Sequence, residues 1–131
     1  NYIAQQVYEL MEKKDINLDQ AKVLVMGLTF KENCPDLRNT GVLDLISSLE
    51  GLNLNVEVYD PWVDSEQVKK ELNFKLVEQP AKDSYQAVIL AVAHECFKEL
   101  SHEEIKEYCA ERHIIYDVKY ILDREDSDGR L

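Results

Sequence analysis

The chain's 131 residues are 45% hydrophobic and 31% charged, proportions that suit a single globular domain with an ordinary core. Its formal net charge of −11 repels phosphate backbones and argues against a general nucleic-acid binder, while leaving room for a phosphorylated small molecule held by local cations and backbone amides. The longest apolar stretch, residues 87–93, is only a strand's length and argues against a membrane span, and three cysteines (Cys34, Cys96, Cys109) without C-x-x-C spacing argue against a disulfide framework and for a reducing cytoplasm.

No basic-then-apolar leader opens the chain, and Asn1 is not an initiator methionine, so the sequence is expected to start inside a larger polypeptide. Residues 2–14 place Ile3, Val7, Leu10 and Met11 on one stripe of an amphipathic helix. A polar connector follows at 15–20. Residues 23–27 (VLVMG) form a continuous β-branched run, the pattern of a strand buried on both faces. Asn39 or Thr40 can cap a helix through Val42, Leu43, Leu45, Ile46 and Leu49, which Gly51 can close. A second strand is expected at 56–59, halted by Pro61, and a short helix at 64–72 capped by Asp64 or Ser65. The strand signal at 74–77 is weaker. Residues 87–92 (AVILAV) are the clearest strand in the chain. Ser101 opens a capping box with Glu104 and leads a helix through Ile105, Tyr108 and Cys109, before a last strand at 114–118. The polar tail at 123–131 is expected to fray. No internal repeat or low-complexity tract is present.

This alternation predicts an α/β fold: a Rossmann-like three-layer sandwich with a five-stranded parallel sheet of order 3-2-1-4-5, preceded by a helix. A ligand should lie over the carboxyl ends of the first and fourth strands, where the order reverses. Four loops meet there, at 28–38, 60–63, 94–97 and from 119 onward. A dinucleotide-binding domain would carry G-x-G-x-x-G directly after the first strand. Here Gly27 is followed by LTFKENCPDLRN, with no further glycine before Gly41.

That loop offers side chains in place of glycines. Phe30 supplies a flat apolar face, Lys31 a mobile point charge and Arg38 a rigid fork for phosphate or ribose oxygens. Asp36 could hold the guanidinium, and Pro35 stiffens the turn. A solvated lysine is the plainer reading of Lys31, but cations bracketing a switch-point loop in so acidic a chain favour anion binding. Asp60 stands where nucleotide-binding folds keep a ribose acid, yet capping the Asp-Pro turn is the stronger reading without the glycine fingerprint. His94 can meet a ligand at the switch point or serve as polar filler. Cys34, Cys96 and His94 lack the paired spacing and the fourth ligand of a zinc site, so no metal is expected. Tyr59 and Trp62 are read as packing residues. No serine sits in a G-x-S-x-G elbow, and no cysteine has an evident histidine and carboxylate pair.

GLTFKENCPDLRNT, followed in order by VYDPW, AVAH and DVK, resembles the UDP-glucose/GDP-mannose dehydrogenase family, in wording nearest the branch that oxidises UDP-N-acetylhexosamines. The resemblance covers about residues 21–122. It implies an enzyme with an amino-terminal NAD-binding domain, a central helical dimerisation domain and a carboxy-terminal UDP-sugar-binding domain like this one. Such enzymes oxidise C6 from alcohol to aldehyde to carboxylate with NAD, through a cysteine thiohemiacetal. By that resemblance Phe30 and Lys31 contact the sugar nucleotide. Arg38 reaches NAD held mainly by the missing amino-terminal domain, and residues 1–20 are the end of the inter-domain helix with its connector. Lys119 takes the place of a substrate-contacting arginine after the last strand, without the bidentate fork. None of the three cysteines lies in a matching catalytic context, so the chain alone should be inactive, and the intact protein should be a cytoplasmic homodimer. The competing readings are a free-standing nucleotide-binding, flavodoxin-like or receiver-like module, and an assembly domain that pairs through the 2–14 helix.

Overall fold

A computed structural model describes residues 1–72, 74 and 76–131. The first helix, α1 (Tyr2–Lys13), is capped by Asn1, whose side-chain oxygen accepts from the amides of Ile3 and Ala4. It buries Ala4, Val7 and Met11 against the sheet. Full burial is worth about 1.5–3 kcal/mol for a side chain such as Val7 or Met11, so packing rather than propensity holds this helix in place. The stripe that could have paired with another copy is largely covered within the chain.

Strand β1 (Lys22–Met26) runs through the middle of the molecule, with Val23 to Met26 fully buried. Helix α2 (Thr40–Gly51) follows, capped by Asn39, which accepts from the Val42 amide. The left-handed residue after its end is Asn53 (φ 65°) rather than Gly51. Strand β2 (Asn55–Tyr59) then leads to α3 (Ser65–Leu72), whose first turn is held by Asp64 through the Glu66 amide. Strand β3 (Tyr85–Leu90) precedes two short helices, α4 (Glu95–Lys98) and α5 (His102–Lys106), and the Ser101–Glu104 capping box opens α5 as its sequence indicates. Strand β4 (Cys109–Asp117) is longer than its apolar core suggests, because Cys109 begins the strand instead of ending a helix.

All strands run parallel, in the order β2-β1-β3-β4-β5, where β5 is Gly129–Arg130. The four strands shared with the expectation keep the expected order, with a change at each edge. Of the expected strand at 74–77, Lys75 lies outside the described residues, and Leu76 makes a lone parallel bridge to Val58 beyond β2. At the opposite edge the polar tail does not fray but contributes β5. Asp128 accepts from the Ile115 amide at 2.8 Å and pairs with Lys14 at 2.9 Å, while Gly129 lies where a side chain would strike Leu10 and Tyr116. A charged terminus is thus stitched to α1 and β4 by hydrogen bonds, which hydropathy does not reveal.

Successive strand residues alternate between two buried layers. Val23, Val25, Ala87, Ile89, Ile114 and Tyr116 face α1, α2 and α3. Leu24, Met26, Val88, Leu90 and Ile115 face Phe97 and Ile105 of α4 and α5. The result is the expected three-layer α/β sandwich. No helix among the described residues is long and apolar enough to cross a membrane.

Candidate functional site

The strand order reverses between β1 and β3, so the carboxyl ends of those strands frame a crevice. Gly27 ends β1 with φ +107°, and a Cβ there would sit 2.6 Å from Cβ of Val92. Only glycine accommodates both demands. The loop that follows crosses the crevice and returns at Asn39, whose side-chain amide donates to the Thr29 carbonyl at 2.7 Å.

Three loops are tied together beneath it by buried polar side chains. Asp60 Oδ2 accepts from the amides of Leu28 (2.7 Å) and Thr29 (3.2 Å), and its Oδ1 accepts from Trp62 (2.8 Å). His94 Nε2 lies 3.0 Å from Asp60 Oδ2 and 3.3 Å from Thr29 Oγ1, while its Nδ1 accepts the Asn33 amide at 2.9 Å. That amide fixes the tautomer: Nδ1 offers its lone pair, so the ring proton sits on Nε2 and is donated to Asp60. Asn33 takes a left-handed φ of 55°, which asparagine tolerates better than most residues, and its Oδ1 accepts from Glu95 at 2.9 Å. The imidazole lies between Trp62, stacked at 6.0 Å, and Phe97, edge-on at 5.2 Å.

Burial pushes the Asp60 carboxyl up, but the hydrogen bonds from His94, Leu28 and Trp62 outweigh it and hold the group below its ordinary value. No buried side-chain nitrogen or oxygen among the described residues lacks a partner. Asp60 therefore caps its turn and also ties β1 to β3. Almost sealed from solvent, it is not presented to a ribose. Both ring nitrogens of His94 are already engaged. Among the described residues, no cluster of three or more His, Cys, Asp or Glu side chains is arranged to hold a metal ion.

Above this knot the loop turns Phe30 and Lys31 outward. Phe30 is 62% exposed, the opposite of a packing residue of its size. Its amide donates to the Asp36 carbonyl at 2.7 Å, and Thr29 Oγ1 donates to the Lys31 carbonyl at 3.0 Å, so the backbone beneath both side chains is held. Arg38, 85% exposed, forms a two-pronged pair with Asp36 through Nε and one terminal nitrogen. The Arg38 guanidinium beside Asp36 holds its carboxyl down to about 2. Three of Arg38's five N–H donors remain for a ligand. Lys119 follows β4 and lines a shallow hollow with Asn39, Gly41, Val42, Ala91 and Val118. The structure brings Phe30, Lys31 and Arg38 onto one loop and sets Lys119 beside its return limb. Trp62 stacks on His94 and is 42% exposed.

The loop does not suit the pyrophosphate of NAD. A dinucleotide site presents free backbone amides just after β1, and here those of Leu28 and Thr29 are taken by a carboxylate that would repel phosphate. Arg38's spare donors are compatible with one contact to a phosphate bound elsewhere.

The thiols differ sharply. Burial drives Cys109 up to about 12 and also raises Cys96, yet Cys96 is exposed and Cys34 half-buried, so a reagent can reach both. A thiol reagent at neutral pH should therefore modify Cys34 and Cys96 in the folded chain and reach Cys109 only after unfolding, as peptide mass mapping would read out. Native-state labelling of Cys109 at the same rate would contradict this packing.

Residues 24–124 match the family model described as the UDP-glucose/GDP-mannose dehydrogenase family, UDP binding domain. The chain belongs to this family. It is 42% identical over 131 residues to a UDP-N-acetyl-D-glucosamine 6-dehydrogenase of Salmonella typhi, covering 100% of this chain and 31% of the relative. A protein of the same name from Pseudomonas aeruginosa is 46% identical over 130 residues, again with 99% of this chain and 31% of the relative covered. The chain thus spans about a third of the length of these curated relatives. Among solved structures, the UDP-D-ManNAc dehydrogenase of Pyrococcus horikoshii superposes with a TM-score of 0.75 at 24% identity, over 98% of this chain and 29% of that one. The NDP-N-acetyl-D-galactosaminuronic acid dehydrogenase of Methanosarcina mazei gives 0.77 at 18% identity, over 95% and 27%. Both likenesses concern the fold.

Proposed function

We propose that this chain is the substrate-binding domain of an NAD-dependent nucleotide-sugar 6-dehydrogenase that oxidises a UDP-N-acetylhexosamine to its uronic acid. The observation that carries the reading is an apolar ring and a cation held outward on a backbone pinned at the switch point. Phe30 offers a face to the base or sugar, and Lys31 meets the diphosphate. Lys119 adds a second point charge from the end of β4. Arg38, steadied by Asp36, reaches NAD bound by another part of the enzyme, where NAD accepts the hydride. The catalytic thiol likewise lies outside this chain, so the chain alone turns over no substrate. Family membership and the names of the relatives support this division of labour.

In the intact enzyme the two walls of a cleft would exclude water and clamp the diphosphate from both sides. Residues 1–20 would be the end of the inter-domain helix and its connector, residues 21–122 the UDP-sugar-binding domain and 123–131 a polar tail that supplies the edge strand β5. The intact protein would be a cytoplasmic homodimer. Calorimetric titration of the chain with UDP tests the reading. Weak binding is expected, reduced about tenfold or more by Lys31→Ala, because a charge-assisted contact contributes about 1.5–3 kcal/mol. Arg38→Ala should leave UDP affinity unchanged and raise the KM for NAD in the intact enzyme. An unchanged UDP affinity in the Lys31→Ala chain would remove Lys31 from the site.

A further inference from the structure

His94 has no part in the contacts just described, yet its side chain is fully enclosed beside them, as are those of Thr29 and Asp60. Burying an imidazole and a carboxylate is costly unless every bond is made, and here every bond is made. The partners are not scattered through the core. Through Asp60, the ring is joined to the amides of Leu28 and Thr29. Through its own Nδ1 it holds the amide of Asn33. These points lie on either side of Phe30 and Lys31, the two residues that project from the loop.

We propose that His94 is a positioning residue for ligand binding. It acts through Asn33 and Asp60 to hold the Phe30–Lys31 segment in its binding conformation before UDP arrives. The inference rests on the reading of that segment as the UDP contact. Its physical content is preorganisation. A loop lacking glycines but spanning the crevice could adopt many conformations, and ordering it on binding would subtract from affinity. His94 links the loop to the start of α4 and to the end of β2, both fixed by the core. Its ring is clamped between Trp62 and Phe97, so it cannot swing away with the loop. Asn33 extends the link, since its side chain accepts from Glu95 next to His94.

A double-mutant cycle on the 131-residue chain, read by UDP titration, separates positioning from general stabilisation. His94→Phe keeps a flat ring and removes both nitrogens. It should weaken UDP binding about tenfold in the otherwise unaltered chain and less than about twofold in the Phe30→Ala/Lys31→Ala chain, where the contacts being positioned are already gone. Equal losses in both backgrounds would mean that His94 merely supports the fold, and no loss in the unaltered chain would also overturn the proposal. If His94→Phe does not fold by circular dichroism, His94→Gln serves in its place. It retains a donor for Asp60 but loses the acceptor for Asn33, and should show the same pattern with about a threefold loss. Lys31→Ala binding as tightly as the unaltered chain would instead sink the UDP reading of the loop, whatever His94 does.

Discussion

Asp60→Ala is expected to lower the unfolding free energy by about 3–5 kcal/mol, the range for removing one partner of a buried, hydrogen-bonded pair. Four donors converge on this carboxylate: the amides of Leu28, Thr29 and Trp62, and Nε2 of His94. Each donor left without an acceptor costs about 1–3 kcal/mol, and the full sum is not reached only because Trp62 and part of the loop can turn to water. Asp60→Asn should fall between. Its carbonyl can take the place of Oδ2, but its amide then faces the Trp62 N–H, donor against donor, at a cost of about 1–3 kcal/mol.

The pH dependence has a definite sign. Asp60 is held below its ordinary 3.8, so its contribution is fully present above 3.8 and is lost as pH falls through the lower folded-state value. Urea melts at neutral pH and at successively lower pH should show the gap between the parent and Asp60→Asn narrowing only below 3.8. A gap already closed at higher pH would contradict the network.

Gly27→Ala is the second large effect. The residue sits at φ +107°, outside the range that side chains accept readily, which costs about 1–3 kcal/mol. A Cβ would also lie 2.6 Å from Val92 Cβ and 2.8 Å from the Val92 backbone nitrogen, and forcing such overlap adds about 1–3 kcal/mol. Alanine at 92 would keep both the Cβ at 2.6 Å and the backbone nitrogen at 2.8 Å and shed only Cγ2, so truncating Val92 should recover no more than a small part of the loss. The expected result is a fall in Tm of about 10 °C or more for Gly27→Ala. Val92→Ala in the same chain should give little rescue, and full rescue would assign the cost to Val92 Cγ2 alone. The substitution should also weaken UDP binding, because the Gly27 amide donates to Tyr59 at 2.9 Å and sets where the loop leaves the sheet.

The two edges of the sheet show where local signals stop. Leu76 was legible as strand-like, and among the described residues it makes a parallel bridge to Val58 at the β2 edge. Arg130 and Gly129 carried no strand signal, and they pair only because Ile115 and Asp128 exchange hydrogen bonds that bring the tail to β4. His94 and Asp60 were each visible as switch-point residues. Their partnership was not, since 34 residues separate them and nothing in either one's neighbourhood encodes the other. Thr29 and Asn33 gave still weaker signals, a hydroxyl and an asparagine in a loop without glycines.

The sequence by itself determined the layered α/β architecture, the order of the central strands, the ends of most helices and the loop that carries Phe30, Lys31 and Arg38. These follow from hydrophobic periodicity, capping chemistry and a specific motif, all of which act over a few residues. The tertiary structure alone decided that His94 and Asp60 are internal ties rather than ligand contacts, that Arg38 is held by Asp36 in a two-pronged pair, and that the tail closes the sheet against α1. Those outcomes depend on which polar groups meet once the core has formed. Burial removes water as a competing partner, so each such group must find a distant one.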